Sequence, residues 1–255
     1  MTTKELTKLD IVILCALGVG GSTLFGALVG LCFKKMGGGV KNIVMALSAG
    51  IMLAASILGL VLPSLEYGGR YGVFITSVGL FFGAGCVRFF DFLLSRVGEK
   101  WEISSDSDGE RLHRALVFVL AIAIHNLPEG IAAGVGFGTG DTGNAIFIAT
   151  SIALQNIPEG MAVIVALLDV GVKPVRTLAI ASFTGLIEVF GTFIGYFAVA
   201  VSSSLLPFIL AAAAGSMLYV ICQEMIPDCH GEDGYATSFL FILGFAMMLV
   251  LDSFL

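Results

Sequence analysis

Charge is scarce in this chain. Asp, Glu, Lys and Arg make up 13% of its 255 residues, against roughly 25% in soluble domains. That deficit excludes an ordinary water-soluble fold. Basic charge is the scarcer sign, with 13 Lys and Arg against 19 Asp and Glu, a net charge of −6 and a pI near 5.0. The balance excludes a surface built for nucleic acid. Histidine occurs only three times and tryptophan once. The five cysteines, Cys15, Cys32, Cys86, Cys222 and Cys229, lack metal-ligand or redox spacing. Most fall in or beside apolar runs, where they read as small buried apolar residues.

What the chain has in quantity is apolar length. It is 57% hydrophobic, with a mean hydropathy of +1.00. Apolar stretches of about 20 residues, each long enough for a bilayer, recur along it. The expected fold class is an all-α polytopic membrane protein. Eight spans are expected, at 11–33, 43–63, 72–95, 113–137, 144–168, 174–200, 205–226 and 236–254. The first is too long for a signal-peptide core and reads as a retained helix. The connections are short except 96–112, where Glu99, Glu102, Asp106, Asp108 and Glu110 lie among Ser and Gly. A single transmembrane domain, 1–255, is the expected organisation.

Basic residues set the expected orientation. Lys34, Lys35, Lys41, Arg96, Lys100, Arg111, Arg114, Lys173 and Arg176 follow odd-numbered spans or lie at their edges. Lys4, Lys8 and Arg70 lie on the opposite side, and Arg88 is inside the third span. The positive-inside rule then places both termini outside the cytoplasm and the acidic loop 96–112 within it.

Two near-copies of one hexapeptide interrupt the apolar runs. The first is His125-Asn126-Leu127-Pro128-Glu129-Gly130, the second Gln155-Asn156-Ile157-Pro158-Glu159-Gly160. A charge at the bilayer centre costs ~2.5–3.5 kcal/mol on insertion scales. A bound cation is the leading candidate to offset that cost. His125 and Glu129 are four apart and share one helix face, as do Gln155 and Glu159. Pro128 and Pro158 each remove a backbone donor from the carbonyl four residues earlier. A helix broken there is tolerated in lipid only against protein or a wet cavity. Gly130 and Gly160 permit close helix approach. Such helices bring His125, Asn126, Glu129, Gln155, Asn156 and Glu159 around one cation. Imidazole nitrogen with carboxylate and amide oxygen suits a borderline divalent ion such as Zn²⁺.

Further polar residues extend this set. Glu188 lies in the sixth span and completes a second cation position with Asn126, Asn156 and a shared glutamate oxygen, unless it is a protonated, backbone-bonded residue. Met52, in the second span, is core packing, a soft ligand or a hydrophobic gate. Glu66 is an entrance acid or a solvated loop residue. Glu224 lies a turn inside the seventh span, followed by Asp228, His230, Glu232 and Asp233, an acceptor site or a solvated loop. Arg88 and Asp91, three apart, read as an internal ion pair. Ala49-Gly50-Ile51-Met52-Leu53 echoes Ala214-Gly215-Ser216-Met217-Leu218, and Pro63 and Pro227 follow. The echo fits inverted halves around a central pair of spans, a recurring transporter plan. An intramembrane metal-dependent hydrolase is the rival class. It needs an arrangement such as His-Glu-x-x-His, whereas this chain offers His-Asn-x-x-Glu.

These residues resemble the ZIP (Zrt-, Irt-like) family of divalent metal transporters, in its prokaryotic GufA-like branch. The resemblance rests on the paired hexapeptides. It extends to Ser48-Ala-Gly-Ile-Met-Leu-Ala-Ala-Ser, to Gly185-Leu-Ile-Glu188 and to Gln223-Glu-Met-Ile-Pro, and so covers nearly the whole chain. It implies eight helices in a 3+2+3 plan, with inverted three-helix repeats around helices 4 and 5. It implies one metal position at His125, Glu129, Gln155 and Glu159, with Met52 beside it. A second is implied at Asn126, Glu129, Asn156, Glu159 and Glu188. Glu66 matches an entrance position and Glu224 an exit position. The implied activity is transport, not catalysis. The substrates are Zn²⁺ and neighbouring ions (Cd²⁺, Fe²⁺, Mn²⁺), moved into the cytoplasm across the plasma membrane by an elevator-like homodimer. Asn156 stands where relatives carry Asp, which removes one charge from the second position. The loop 96–112 lacks the family's histidine run.

Overall fold

The structure, a computed structural model, describes residues 8–32, 38–100, 107–138, 142–201, 203–229 and 234–254; these contain helices and turns and no strand. Eight helical runs follow in chain order. They are α1 (Lys8–Cys32), α2 (Gly38–Ala54), α3 (Gly72–Lys100), α4 (Ser107–Gly138), α5 (Thr142–Asp169), α6 (Pro174–Val201), α7 (Leu206–Val220) and α8 (Gly234–Asp252). α2 continues through a π-helical stretch, Ala55–Val61, into a helix at Leu62–Tyr67. α7 likewise continues through π-helical Ile221–Met225 into Ile226–Cys229.

Seven of these runs are long and apolar enough to cross a membrane among the described residues: Leu9–Cys32, Asn42–Tyr67, Gly69–Leu93, Gly143–Asp169, Pro174–Val199, Leu206–Met225 and Tyr235–Asp252. The remaining one, α4, has 32 residues and carries the first hexapeptide. At ~1.5 Å per residue that length exceeds a ~30 Å hydrocarbon core. It begins at Ser107, six residues before the expected start of the fourth span.

Neither hexapeptide proline breaks its helix, for α4 and α5 remain α-helical through Pro128 and Pro158. The irregular backbone lies instead just before Pro63 and Pro227. Pro63 denies a donor to the Gly59 carbonyl, and the Asn144 side chain supplies one at 3.4 Å. Ser56 bonds the Met52 carbonyl four residues back, at 2.8 Å. Such back-bonding competes with the helix ladder and bends it. α5 ends at Asp169, and the chain turns at Gly171, whose φ of +83° only glycine adopts freely. Val172 and Gly171 donate to the Leu167 and Leu168 carbonyls, each at 3.0 Å, closing a Schellman turn.

Packing follows from small residues at crossings. α1 packs against α5 and α6, and α4 against α6 and α5; α3 packs against α7, and α2 against α8. A Cβ on Gly130 would stand 2.2 Å from the Glu188 carbonyl oxygen, and one on Gly160 2.1 Å from that of Thr23. The motif glycines therefore set how closely α4 meets α6 and α5 meets α1.

Two apolar clusters bracket a polar layer. One holds Val19, Ala132, Ile152 and Val199; the other holds Ala27, Ile122, Val163 and Ala181. On α1, Thr23, on α4 and α5 the hexapeptide residues, and on α6 Glu188 fall between a member of each cluster. Large apolar side chains on α3 and α8, including Phe74, Phe81 and Phe239, stay exposed. In a bilayer such surface meets acyl chains rather than water.

Candidate metal centre

Every residue expected at the two metal positions is buried: Met52, His125, Asn126, Glu129, Gln155, Asn156, Glu159 and Glu188. Three buried carboxylates this close are costly unless hydrogen bonds or a cation compensate them.

The helical spacing places the side chains as follows. Gln155 Nε2 donates to Glu129 Oε1 at 2.8 Å, tying α5 to α4. Glu188 accepts from both asparagines: Asn126 Nδ2 on Oε1, and Asn156 Nδ2 on Oε2 at 2.5 Å. Asn156 Nδ2 also reaches the Val19 carbonyl at 3.2 Å, and Asn126 Nδ2 the Thr184 carbonyl at 3.4 Å. Glu159 and Glu188 lie close enough to Glu129 for their charges to act on it, and His125 and Glu224 act likewise on Glu159. Met52 is wholly buried one turn past Ser48, whose hydroxyl bonds the Gln155 carbonyl at 3.2 Å.

The atoms left over are informative. Among the described residues, five buried side-chain nitrogen or oxygen atoms lack a hydrogen-bond partner: His125 Nε2, Asn126 Oδ1, Glu129 Oε2, Gln155 Oε1 and Asn156 Oδ1. All five belong to the two hexapeptides: four are amide or carboxylate oxygens, and the fifth is an imidazole nitrogen. Buried polar atoms in native proteins are overwhelmingly partnered. Four orphan acceptor oxygens gathered beside an imidazole nitrogen form a ligand set that a cation satisfies. The amide orientations follow from their NH₂ groups facing carboxylates and carbonyls.

The outer residues separate towards the two ends of the bundle. Glu66 lines a depression of about 240 Å³ with Asn144 and Asp252, where α2, α5 and α8 meet. Glu224 lies at the other end, with Oε1 3.4 Å from His125 Nε2. Asp228 sits on the helix Ile226–Cys229, its side chain outside the described residues, as is the whole of His230. The side chains of all five acids of 96–112 fall there too, Glu102 and Asp106 entirely.

Three participants escaped the sequence reading. Asp91 turns to His125, with Oδ1 3.8 Å from Nε2, where the sequence pointed to Arg88 as its partner. The Tyr219 hydroxyl faces the same Asp91. Asp91, His125 and Glu224 thereby bring three ligand atoms within 4.8 Å of one another. Thr23, wholly buried on α1, donates from Oγ1 to Glu188 Oε1 at 2.8 Å. A threonine in an apolar helix gives no sign of such a role; an acid three residues from an arginine points first to that neighbour.

Comparison with known proteins leads the same way. Residues 99–252 match the family described as ZIP Zinc transporter. The chain is 43% identical over 146 residues to the zinc transporter GufA of Myxococcus xanthus, a match covering 56% of this chain and 57% of that relative. It thus spans little more than half of GufA's length. It is 33% identical over 253 residues to the zinc transporter ZIPB of Bordetella bronchiseptica, covering 91% of this chain and 77% of the relative. Against the zinc transporter ZIP11 of Homo sapiens it is 40% identical over 151 residues, covering 56% of this chain and 44% of the relative. The buried polar layer on an all-helical scaffold, the matched residues 99–252 and the extended likeness to ZIPB together make this chain a member of the ZIP family, on its GufA-like side.

Proposed function

We propose that the protein carries divalent transition-metal ions, Zn²⁺ first and Cd²⁺, Fe²⁺ or Mn²⁺ besides, across the plasma membrane into the cytoplasm. The observation that carries this reading is the set of five unpartnered buried oxygen and nitrogen atoms on the hexapeptides. His125, Glu129, Gln155 and Glu159 replace the hydration shell of one ion, with Met52 behind them. Asn126, Asn156 and Glu188 take a second ion beside it, sharing the glutamates. Imidazole, amide and carboxylate ligands bind without the permanence of thiolates, so the ion is also released. Glu66 collects ions at the outer end; Asp91 and Glu224 receive them from His125 at the inner one.

The reading includes a 3+2+3 arrangement with inverted repeats. Its support is a repeated register. Thr23 and Glu188 are 165 residues apart; Val19 and Thr184, Gly20 and Gly185, and Gly50 and Gly215 keep the same separation. The two asparagines bond the Val19 and Thr184 carbonyls alike. The pairings of α1 with α5 and of α6 with α4 correspond, as do those of α2 with α8 and of α7 with α3. The groups move against each other in an elevator-like stroke, in a homodimer with both termini outside.

The test is uptake of radioactive zinc into vesicles. Glu129→Ala and Glu159→Ala each abolish it while the protein still folds; normal uptake in both variants would falsify the reading.

A further inference from the structure

Glu188 is the best-bonded carboxylate in the polar layer. Oε1 accepts from Thr23 and Asn126, and Oε2 from Asn156. A carboxylate has about four lone-pair positions, so roughly one remains open, on Oε2. The asparagines reach Glu188 from the hexapeptide helices, which would carry the ion. Thr23 reaches it from α1, which belongs to neither. The α1–α6 crossing is tight: a Cβ on Gly20 would stand 2.4 Å from the Gly185 carbonyl oxygen, and one on Gly185 2.3 Å from that of Gly20. Thr23 and Glu188 each lie three residues beyond those glycines. The crossing therefore fixes the hydroxyl against the carboxylate.

We propose that Thr23 is a positioning residue that sets ion preference: its hydroxyl holds Glu188 Oε1, so the carboxylate offers a passing ion one oxygen rather than two. This rests on the transport reading above. One-oxygen ligation suits Zn²⁺, which takes few ligands. Two-oxygen ligation suits Mn²⁺, which prefers a fuller oxygen shell. Without Thr23 a lone pair opens on Oε1 beside the one on Oε2, and Glu188 presents both oxygens while the asparagines still hold it.

The test reconstitutes the full chain in liposomes and measures kcat/KM for Zn²⁺ and Mn²⁺. Thr23→Val removes the hydroxyl at constant shape, and Thr23→Ala removes it without risk of overpacking, so either variant alone carries the test. The Mn²⁺ to Zn²⁺ ratio of kcat/KM rises about tenfold in both, the scale of one hydrogen bond to a charged group. Thr23→Ser, which keeps the donor, restores the original ratio. Equal falls for both ions, an unchanged ratio, or a Thr23→Ser ratio as altered as that of Thr23→Val overturns the proposal and leaves the transport reading standing. A wild-type chain that moves neither ion overturns both.

Discussion

Asn156 Nδ2 stands 2.5 Å from Glu188 Oε2, an amide donor where a second carboxylate would meet the first. The bond partly compensates a wholly buried acid without any cation. It also limits the charge available to a second ion, so the two proposed metal positions are unequal.

That inequality is testable at Asn156. Asn156→Asp replaces a donor with a like charge, at a cost of about 1–3 kcal/mol when no ion is present. Melting of the detergent-solubilised variant therefore falls below wild type in chelator. Added Zn²⁺ raises it by more than it raises wild type, because an ion bound only to the folded chain stabilises it by mass action.

Gly130 and Gly160 test the packing that assembles the site. Gly130→Ala drives a methyl against the Glu188 carbonyl, and Gly160→Ala against that of Thr23. Each costs about 1–3 kcal/mol by overpacking and lowers both melting temperature and zinc uptake. Gly21→Ala, where nothing lies within 4 Å, leaves melting unchanged or slightly raised, since alanine is the better helix former.

Asp91 tests the inner route. Its carboxylate and that of Glu224 flank His125 Nε2. Asp91→Asn keeps the shape and removes the charge that draws an ion onward. The maximal rate of zinc uptake falls several-fold with little change in KM, because entry to the central position is untouched. A KM rise at constant maximal rate contradicts this role.

Much of this arrangement was legible in the residues. Apolar length marked the spans, because a bilayer admits few other solutions. Paired carboxylates at matched helical positions marked the centre, because their burial demands compensation. The prolines misled: Pro128 and Pro158 suggested broken helices, yet the irregular turns precede Pro63 and Pro227. The missing donor at Pro63 is supplied from another helix by Asn144, a tertiary contact with no local signature. Thr23 and Asp91 were hidden for the same reason. Their partners lie on other helices, and which helices meet is decided by small-residue crossings such as Gly20 with Gly185.

The most direct measurement is anomalous scattering from crystals soaked in Cd²⁺. The account places a peak between α4 and α5, within about 2.0–2.5 Å of oxygens of Glu129 and Glu159, and its loss in Glu129→Ala. Peaks confined to the surface, with the polar layer empty at saturating Cd²⁺, contradict it.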